Sequence, residues 1–328
     1  MLTDKINYRD CPQHLNPSAN NENFDEAAYL LANPDVADAV NAGRIDSGYS
    51  HYILYGELER RRLRFPVQVE RKKLKLKTIQ PLLRNDMHMQ QFDNYFDFLT
   101  SDLREQFNII DTNAVSSNDY DHDVLELIKK HRDGIILDCG AGSRGVYYQN
   151  VVNLEIAVYP STDVRGVGEV LPFKDDSFDA IISIAVLEHV KDPWLCAQEI
   201  IRVLKPGGDL FCCVPFLQPL HGYPHHYYNM TGQGLVNLFE SGIQILRHEV
   251  PVSMLPIWSL TWILGSWANG LDNASRDEFM SLRVSDLISD PVTYLSRNFV
   301  RGLSHEKNME LASGTMIMGN KRLHLDPD

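Results

Sequence analysis

A glycine-rich turn directly after a short apolar run limits the fold of this 328-residue chain more than any other feature. The segment "GIILDCGAGSRGVYYQNVVNLEI" spans residues 134–156 and places Gly140, Gly142 and Gly145 in a G-x-G-x-x-G pattern. The same spacing marks the turn of dinucleotide-binding sites, where glycines let backbone N–H groups approach a cofactor closely. Glu155 follows where an acid would hold ribose hydroxyls, so the segment predicts a site for an adenosine-containing cofactor.

The residues around this turn favour a cofactor other than a dinucleotide. Asp138 stands just before the first glycine, where its carboxylate would oppose a pyrophosphate but would attract a positively charged group. The stretch between Gly145 and Glu155 is short and rich in β-forming residues, which disfavours the long helix whose N-terminus would hold phosphates. The turn therefore suits an adenosine cofactor that carries positive charge and no phosphate.

Strand-like and helix-like segments alternate after this turn. The segments predicted as strands are, in order, "IILDC", "VVNLEI", "TDVRGVGE", "FDAIISIAV", "DLFCCVPF", "IQILRHEV" and "GTMIMGNKR". A helix is predicted within "DPWLCAQEIIRVLKPGG", with Pro193 near its first turn and two glycines where it stops. Such alternation implies right-handed crossovers and a mostly parallel sheet, which is an α/β fold.

Two further blocks identify a family. They are "EVLPFKDDSFDAIISIAVLEHVKDP" at residues 169–193 and "EIIRVLKPGGDLFCCVPF" at residues 199–216. With the glycine turn, they make residues 135–216 resemble the class I S-adenosylmethionine-dependent methyltransferases, in the subgroup with L-P-F-x-D-x-S-F-D, L-E-H-V and L-K-P-G-G motifs. The resemblance implies a Rossmann-like, seven-stranded, mostly parallel sheet with helices on both faces, and S-adenosylmethionine as cofactor.

The resemblance also implies a role for residues around the turn. Asp138, Gly140, Ala141 and Gly142 would lie along the methionine part of the cofactor, and Glu155 would hold the ribose hydroxyls. The remaining candidates for contact with the cofactor are Val167, Gly168, Glu169, Ser183 and Ala185. Val167 stands where the family usually has an aspartate facing the adenine, so backbone groups around Gly168 and Glu169 would replace that contact. Ser183 and Ala185 would line the pocket near the reacting methyl group.

The acceptor of the methyl group is expected outside the carboxyl ends of the strands. "LEHVKDP" and the loop "PFLQPLHGYPHHYYNMTGQGL" follow the fourth and fifth predicted strands there. A neutral imidazole suits removal of a proton from a hydroxyl acceptor, and the candidates are His189, His221, His225 and His226. Each of them also fits a structural, hydrogen-bonded histidine. No carboxylate accompanies them at ligand spacing in the sequence, so neither zinc nor another metal is expected.

The chain divides into three predicted regions. Residues 1–65 form a small helical module, residues 66–118 a basic linker and helical lead-in, and residues 119–328 the methyltransferase domain, with a helical insertion over residues 252–312 before the last strand. The basic run "RRRLRFPVQVERKKLKLK" fits a solvated linker or a patch for an anionic surface. Residues 252–268 hold Trp258 and Trp262 on one helical face, which fits a core or self-association helix, a lid, or contact with a membrane surface.

Composition narrows the range of possible functions and of cellular locations. A net charge of −13 argues against general nucleic-acid binding, since that requires a basic surface. The five cysteines form no C-x-x-C pair, and the start of the sequence does not resemble a secretory signal, so a reducing cytoplasm is expected. The segments "YLLANPDVADAV" and "SGYSHYILYGELERR" resemble a module of bacterial glycan and cell-surface proteins.

The sequence predicts an enzyme that methylates oxygen or nitrogen of a small molecule, a sugar or a lipid-linked glycan. Two alternatives stay open: an inactive scaffold that binds S-adenosylmethionine, and a membrane-surface assembly protein.

Overall fold

The computed structural model describes residues 13–111, 117, 119–222 and 224–315. Two compact units divide the chain. The first comprises Met1–Pro215 with Gly222–His248, and the second comprises Phe216–His221 with Glu249–Asp328. The predicted boundaries at residues 65, 118, 252 and 312 stay predictions.

All strands of the described residues lie in the first unit. They are β1 (Gln13–His14), β2 (Gln90–Gln91), β3 (Phe96–Asp97), β4 (Ile136–Cys139), β5 (Val146–Tyr147), β6 (Val151–Glu155), β7 (Val164–Arg165), β8 (Phe178–Ile184) and β9 (Leu204–Cys213). Seven of them form one sheet in the order β2-β3-β7-β6-β4-β8-β9, in which only the β2–β3 pair is antiparallel. This confirms the predicted α/β, Rossmann-like fold with a seven-stranded, mostly parallel sheet.

Eight α-helices accompany the sheet in the described part of the first unit. They are α1 (Glu26–Ala32), α2 (Pro34–Asn41), α3 (Gly48–His51), α4 (Pro66–Ile79), α5 (Ser101–Phe107), α6 (His122–Lys130), α7 (Pro193–Val203) and α8 (Gly232–Phe239). A π-helical turn (Tyr52–Gly56) continues α3, and a 3₁₀ turn (Gln80–Leu82) continues α4. Helix α7 begins as the sequence predicted: the Asp192 side chain accepts from Leu195 N, and Pro193 occupies the first helical position, where its missing N–H costs nothing.

The core lies on both faces of the sheet because successive strand residues point to opposite sides. On one face Leu137 and Ile181 pack in a cluster with Ile200 of α7 and Leu238 of α8. On the other face Ile136, Ala180 and Ile182 pack with the buried positions of α6. The two layers hold β4 and β8 at the centre of the sheet, with their carboxyl ends at the edge where the glycine turn begins.

The basic run was interpreted as a solvated linker, and this interpretation is wrong for two of its lysines. Residues from Pro66 onward form α4, in which Lys72 and Lys75 are buried. Lys75 Nζ lies 2.6 Å from Asp163 Oδ2, and Lys72 Nζ lies 3.7 Å from Asp163 Oδ1. Burial lowers the pKa of Lys75 to about 8, and the Asp163 charge opposes that shift. The run is therefore tied into the first unit by charge pairing.

The segments of the chain that form the seven strands differ from the predicted segments at the start and at the end of the series. Residues 90–97, expected within a helical lead-in, instead supply β2 and β3, and only α5 is helical there. Phe96 and Phe98 are both buried and Asp97 between them is less so, which is the period-two pattern of a strand. Residues 243–250, expected as a strand, are not one. The last predicted strand, residues 314–322, lies outside the described residues from position 316.

The second unit is helical in its described part. Its helices are α9 (Pro256–Asn269), α10 (Asn273–Met280), α11 (Val284–Leu287), α12 (Asn298–Arg301) and α13 (His305–Leu311), with 3₁₀ turns at Val252–Met254 and Pro291–Tyr294. Trp267, Phe279 and Phe299 pack together at its centre. Trp258 and Trp262 are exposed on α9, and their predicted role in self-association or membrane contact stays a prediction. None of the described helices has the length and apolarity required to cross a bilayer.

Candidate active site

The glycine turn leaves β4 in a conformation that requires two of its three glycines. Gly140 and Gly142 have φ of 85° and 63°, in the left-handed region that favours glycine. A Cβ on Gly140 would also lie 2.5 Å from Cγ2 of Val186, so the turn passes tightly over the end of β8. Gly145 has nothing within 4 Å of such an atom. The third glycine of the pattern is therefore not imposed by packing.

Glu155, at the end of β6, is bonded directly to this turn. Its Oε2 accepts from Gly142 N at 2.8 Å, and its Oε1 accepts from Ile156 N at 2.8 Å and Ala157 N at 3.3 Å. Burial raises the pKa of Glu155, and the backbone hydrogen bonds oppose that rise. A carboxylate has about four lone-pair sites, so acceptor capacity remains after these three bonds. The structure thus brings the predicted ribose acid and the predicted methionine-side turn together.

Asp138, on β4, forms a buried ion pair with Arg144 of the same turn. Arg144 Nε and Nη2 both donate to Asp138 Oδ2, at 3.0 and 2.8 Å. The Tyr120 hydroxyl donates to the same oxygen at 2.5 Å, and the guanidinium carbon of Arg144 lies 4.1 Å from the Tyr120 ring centre. Asp138 Oδ1 is buried and has no hydrogen-bond partner among the residues that the structure describes.

The three residues expected near the adenine are held by packing and capping. Val167 is buried in a cluster with Leu99 and Phe107. A Cβ on Gly168 would lie 2.6 Å from Sγ of Cys196, so the backbone passes close to α7. The Glu169 carboxylate accepts from Lys191 N and Asp192 N, at 2.9 and 3.4 Å, just ahead of α7. The Val167 and Glu169 side chains are thus engaged inside the fold, and the expected adenine contact depends on backbone groups.

Ser183, Ala185 and Ala141 line the same edge of the sheet. Ser183 is buried on β8 opposite Cys212 of β9. Ala185, just after β8, has a φ of 53°, and its N–H donates to Cys213 O at 3.0 Å. Ala141 N donates to Leu154 O at 2.9 Å, which anchors the turn to β6. An alanine in the left-handed region costs about 1–2 kcal/mol, and such strain is concentrated at functional sites.

His189 is oriented by the loop that precedes α8. Its Nδ1 donates to His225 O at 2.7 Å, so Nδ1 carries a proton. Nε2 of the same ring lies 3.7 Å from Glu188 Oε1. Glu188 is fully buried, and burial raises its pKa to about 8. The second ring nitrogen of His189 is therefore placed beside a carboxyl group that is mostly neutral at pH 7.

The other predicted histidines fall into two groups. His226 lies 5.5 Å from His189 between ring centres, and its Nε2 is 2.9 Å from Asn229 Oδ1. His225 Nε2 donates to Asn108 O at 2.9 Å. His189, His225 and His226 are thus brought together in the first unit. His221 belongs to the second unit, where its Nδ1 donates to Pro219 O and its ring lies 5.1 Å from that of Trp262.

Three residues of this arrangement were missed by sequence reasoning. They are Tyr120, Arg144 and Glu188. Arg144 lies within the G-x-G-x-x-G pattern itself, and a charged residue there was the signal available in the sequence. Glu188 precedes His189 in the L-E-H-V motif, and its backbone carbonyl accepts from the N–H groups of Tyr227 and Tyr228, about forty positions later. No sequence pattern indicates that contact.

The strands and turns that carry these residues are similar to known proteins. Residues 138–212 match the methyltransferase domain family. An uncharacterized methyltransferase of Mycolicibacterium vanbaalenii is 51% identical over 47 residues, which are 14% of this chain and 18% of that protein. One of Mycobacterium tuberculosis is 51% identical over 49 residues, which are 15% of this chain and 19% of that protein. The chain spans about a fifth of the length of these curated relatives.

Several solved structures are similar to part of this chain, although the overall similarity is low. The YcgJ protein of Bacillus subtilis has a TM-score of 0.33 and 19% identity, and the match covers 50% of this chain and 91% of that one. Phosphoethanolamine N-methyltransferase 2 of Haemonchus contortus, solved with phosphomonomethylethanolamine and S-adenosylhomocysteine, has a TM-score of 0.30 and 15% identity, with 58% and 48% covered. The fold assignment itself rests on the strand order described above.

Proposed function

We propose that this protein transfers a methyl group from S-adenosylmethionine to an oxygen or nitrogen of a small molecule, a sugar or a lipid-linked glycan. One observation carries the proposal: Asp138 and Glu155 flank the glycine turn at the carboxyl ends of the neighbouring strands β4 and β6. Both lie in or beside the turn of the segment that matches the methyltransferase domain family. The buried free thiols of Cys139, Cys196 and Cys213 suit a reducing cytoplasm.

The described residues fit this cofactor. Asp138 Oδ1 is a buried acceptor without a partner among them, as the ammonium of the methionine end would require. Glu155 has acceptor capacity left for ribose hydroxyls. When bound, the cofactor would supply a methyl group on a positively charged sulfur, which a nucleophile attacks in line. The protein then has to position the acceptor and, for a hydroxyl, take up its proton.

His189 is the residue best oriented to take that proton. The His225 carbonyl holds a proton on Nδ1, so Nε2 is the ring nitrogen that would take up the proton of a hydroxyl acceptor. Glu188, beside Nε2, is mostly neutral at pH 7 because burial raises its pKa to about 8. A neutral carboxyl stabilises a doubly protonated imidazole less than a carboxylate does. His226, whose ring contacts that of His189, would help to position the acceptor.

An exposed aromatic surface beside these histidines favours a sugar acceptor. Trp194 and Tyr228 are exposed, and their ring centres are 5.9 Å apart at nearly a right angle. Tyr227 is partly exposed next to them, with its ring centre 5.3 Å from that of His225. Flat aromatic faces with polar edges suit the apolar faces and hydroxyls of sugar rings. This supports a glycan over an aliphatic amine.

Cofactor binding is the first test. We expect wild-type protein to bind S-adenosylhomocysteine in calorimetry, and Glu155→Gln to raise Kd about tenfold or more, since a hydrogen bond to an ionised group is worth about 1.5–3 kcal/mol. The matched control is Glu126→Gln, an exposed acid on α6, which should leave Kd unchanged. Equal Kd values for the three proteins would refute the ribose role of Glu155.

Methyl transfer is the second test. Wild-type protein and His189→Gln are incubated with radiolabelled S-adenosylmethionine in host extract, and labelled products are separated. We expect label in a glycan fraction with wild-type protein and a strong reduction with His189→Gln. Binding without transfer to any fraction would favour the inactive scaffold. Failure to bind either S-adenosylmethionine or S-adenosylhomocysteine would exclude both functions and leave the membrane-surface alternative.

A further inference from the structure

Helix α5 ends in a backbone conformation that few residue types adopt. Asn108 caps it with φ of 57° and ψ of 42°, in the left-handed region, where asparagine is tolerated better than most residues other than glycine. The Asn108 N–H donates to carbonyls of the last turn of α5, whereas the Asn108 carbonyl has no partner within the helix. The left-handed turn orients that carbonyl toward the histidine loop, which is defined as residues 224–230.

Two residues of the histidine loop are bonded to Asn108. His225 Nε2 donates to Asn108 O at 2.9 Å, and Asn108 Nδ2 donates to the Tyr227 hydroxyl at 3.2 Å. The residues before the cap are also bonded to the L-E-H-V-K segment, since Lys191 Nζ donates to Gln106 O at 2.8 Å. Three hydrogen bonds thus join the end of α5 to residues that lie 85 to 119 positions further along the chain.

The bond to Asn108 reaches His189 through one residue. The ring of His225 donates to Asn108 O, and the backbone carbonyl of His225 accepts from His189 Nδ1 at 2.7 Å. The chain also passes tightly over the His189 ring at Gly222, where a Cβ would lie 2.2 Å from His189 Cε1. A hydrogen bond weakens steeply as its angle closes, so a shift of His225 would turn the acceptor away from His189.

Burial does not explain these bonds. Both bonds between Asn108 and the histidine loop lie at exposed positions, where water would satisfy the same carbonyl, amide and ring groups. An exposed hydrogen bond that replaces one to water adds little to the free energy of unfolding. What the bonds do supply is a fixed distance between the end of α5 and the histidine loop. Asn108 also lies outside residues 138–212, so the family match assigns it no role.

We propose that Asn108 is a positioning residue for His189. Its carbonyl, oriented by the left-handed turn, anchors the His225 ring, and the His225 carbonyl in turn holds the proton on His189 Nδ1. The inference rests on the proposed function, in which His189 takes the proton of a hydroxyl acceptor. It predicts that the cap of α5 controls the rate of methyl transfer and leaves the affinity for the cofactor unchanged.

Nuclear magnetic resonance of protein with isotope-labelled histidine rings tests this relay without any ligand. Spectra are recorded at a pH well above the usual histidine pKa, and the His189 signals are identified by their loss in His189→Gln. We expect wild-type protein to show His189 as one neutral tautomer with the proton on Nδ1. Asn108→Val, which disfavours the left-handed turn, should give a mixture of both tautomers. His225→Phe, which keeps the backbone carbonyl and loses the ring donor, should do the same.

Two further variants separate the role of the carbonyl from backbone strain. Asn108→Gly keeps the left-handed turn and its carbonyl, so it should retain the wild-type signals of His189. Asn16→Val is the matched control, because Asn16 also has a left-handed φ, of 46°, and its carbonyl accepts from Arg62. It should leave the His189 signals unchanged. Circular dichroism verifies that each variant is folded.

A second measurement connects the relay to the reaction. With radiolabelled S-adenosylmethionine and host extract, Asn108→Val should lower the rate of methyl transfer about tenfold or more, as expected when a general base is misplaced. Its Kd for S-adenosylhomocysteine should stay within about twofold of the wild-type value. A rate of transfer equal to that of wild type would overturn the proposal.

The spectra decide the rest. A wild-type His189 without the single Nδ1 tautomer would overturn the proposal, and so would unchanged His189 signals in folded Asn108→Val, or in His225→Phe if the valine variant does not fold. Equal changes in the Asn16 and Asn108 valine variants would trace the effect to strain, and equal changes in Asn108→Gly and Asn108→Val would trace it to the Tyr227 bond; either result overturns the relay. Wild-type protein that binds no S-adenosylhomocysteine would refute the proposed function instead, and the spectra, which require no ligand, would still show whether the relay exists.

Discussion

The buried contact between α4 and Asp163 gives the sharpest stability prediction. Replacing Lys75 with methionine keeps the aliphatic stem but removes the ammonium, whose side chain is 1% exposed beside an Asp163 side chain of 0%. The same ammonium donates to Tyr148 O at 3.1 Å and lies 3.8 Å from the Tyr147 ring centre. Asp163 would then remain buried with a more distant cation, Lys72, at 3.7 Å.

The expected loss follows from that geometry. Removing one partner of a buried ion pair costs about 3–5 kcal/mol because the other charge stays buried without compensation. Lys72 and the Asn153 N–H, which donates to Asp163 Oδ2 at 2.9 Å, retain part of the compensation. We therefore expect Lys75→Met to lower the free energy of unfolding by about 3 kcal/mol, near the low end of that range. Urea denaturation followed by circular dichroism measures it.

Two comparison variants make this reasoning refutable. Lys73→Met removes a neighbouring lysine whose side chain is 52% exposed, and it should change the free energy of unfolding by less than about 0.5 kcal/mol. Lys75→Met combined with Asp163→Asn removes the uncompensated charge and should lose less stability than Lys75→Met alone. Similar losses for the Lys73 and Lys75 variants, or a larger loss in the double variant, would show that the buried pair does not act as described.

Two further predictions concern the turn and the buried acid. Gly140→Ala should destabilise the protein by more than about 1–2 kcal/mol, because the left-handed φ adds to the 2.5 Å approach to Val186. Gly145→Ala should be nearly neutral, and thermal melts of both variants measure the difference. A neutral Gly140→Ala would contradict the tight turn. Glu188, with a native pKa of about 8, keeps a proton that the unfolded chain releases near pH 4.5, so wild-type stability falls as pH rises through this window by up to about 1.4 kcal/mol per unit. Glu188→Gln lacks this slope and should gain on wild type from about pH 5 to 8; parallel stability curves would disprove the shift.

The central fold was predictable because its signals are local. The strands β4, β6 and β8 and the start of α7 follow from apolar runs, from Pro193 and from motifs within 82 consecutive residues at 135–216. Asp138, Glu155 and the glycine turn followed from the same stretch, and the structure brings them together. The adenine side of the site was harder to predict from the sequence, since Val167 departs from the family pattern and packs into the core.

The rest depended on contacts between distant parts of the chain. Lys72 and Lys75 stand in a basic run that resembles a solvated surface, and only Asp163, some ninety positions later, explains their burial. The Phe96–Phe98 alternation was visible, but two residues are too short to identify a strand without its neighbour β7. The position of His221 in the second unit likewise follows from tertiary packing and not from its closeness in sequence to His225.

The charge pairing between α4 and Asp163 also determines which parts of the chain unfold together. Opening α4 alone would expose two lysines to water but would leave Asp163 buried with most of its compensation gone, so this partial opening is disfavoured relative to opening the strands as well. Backbone amides of α4 and of β6 should therefore exchange with solvent deuterium at similar rates. A shortened chain that starts at the family match would lack this helix and its two lysines. The sheet of that chain should then unfold less cooperatively.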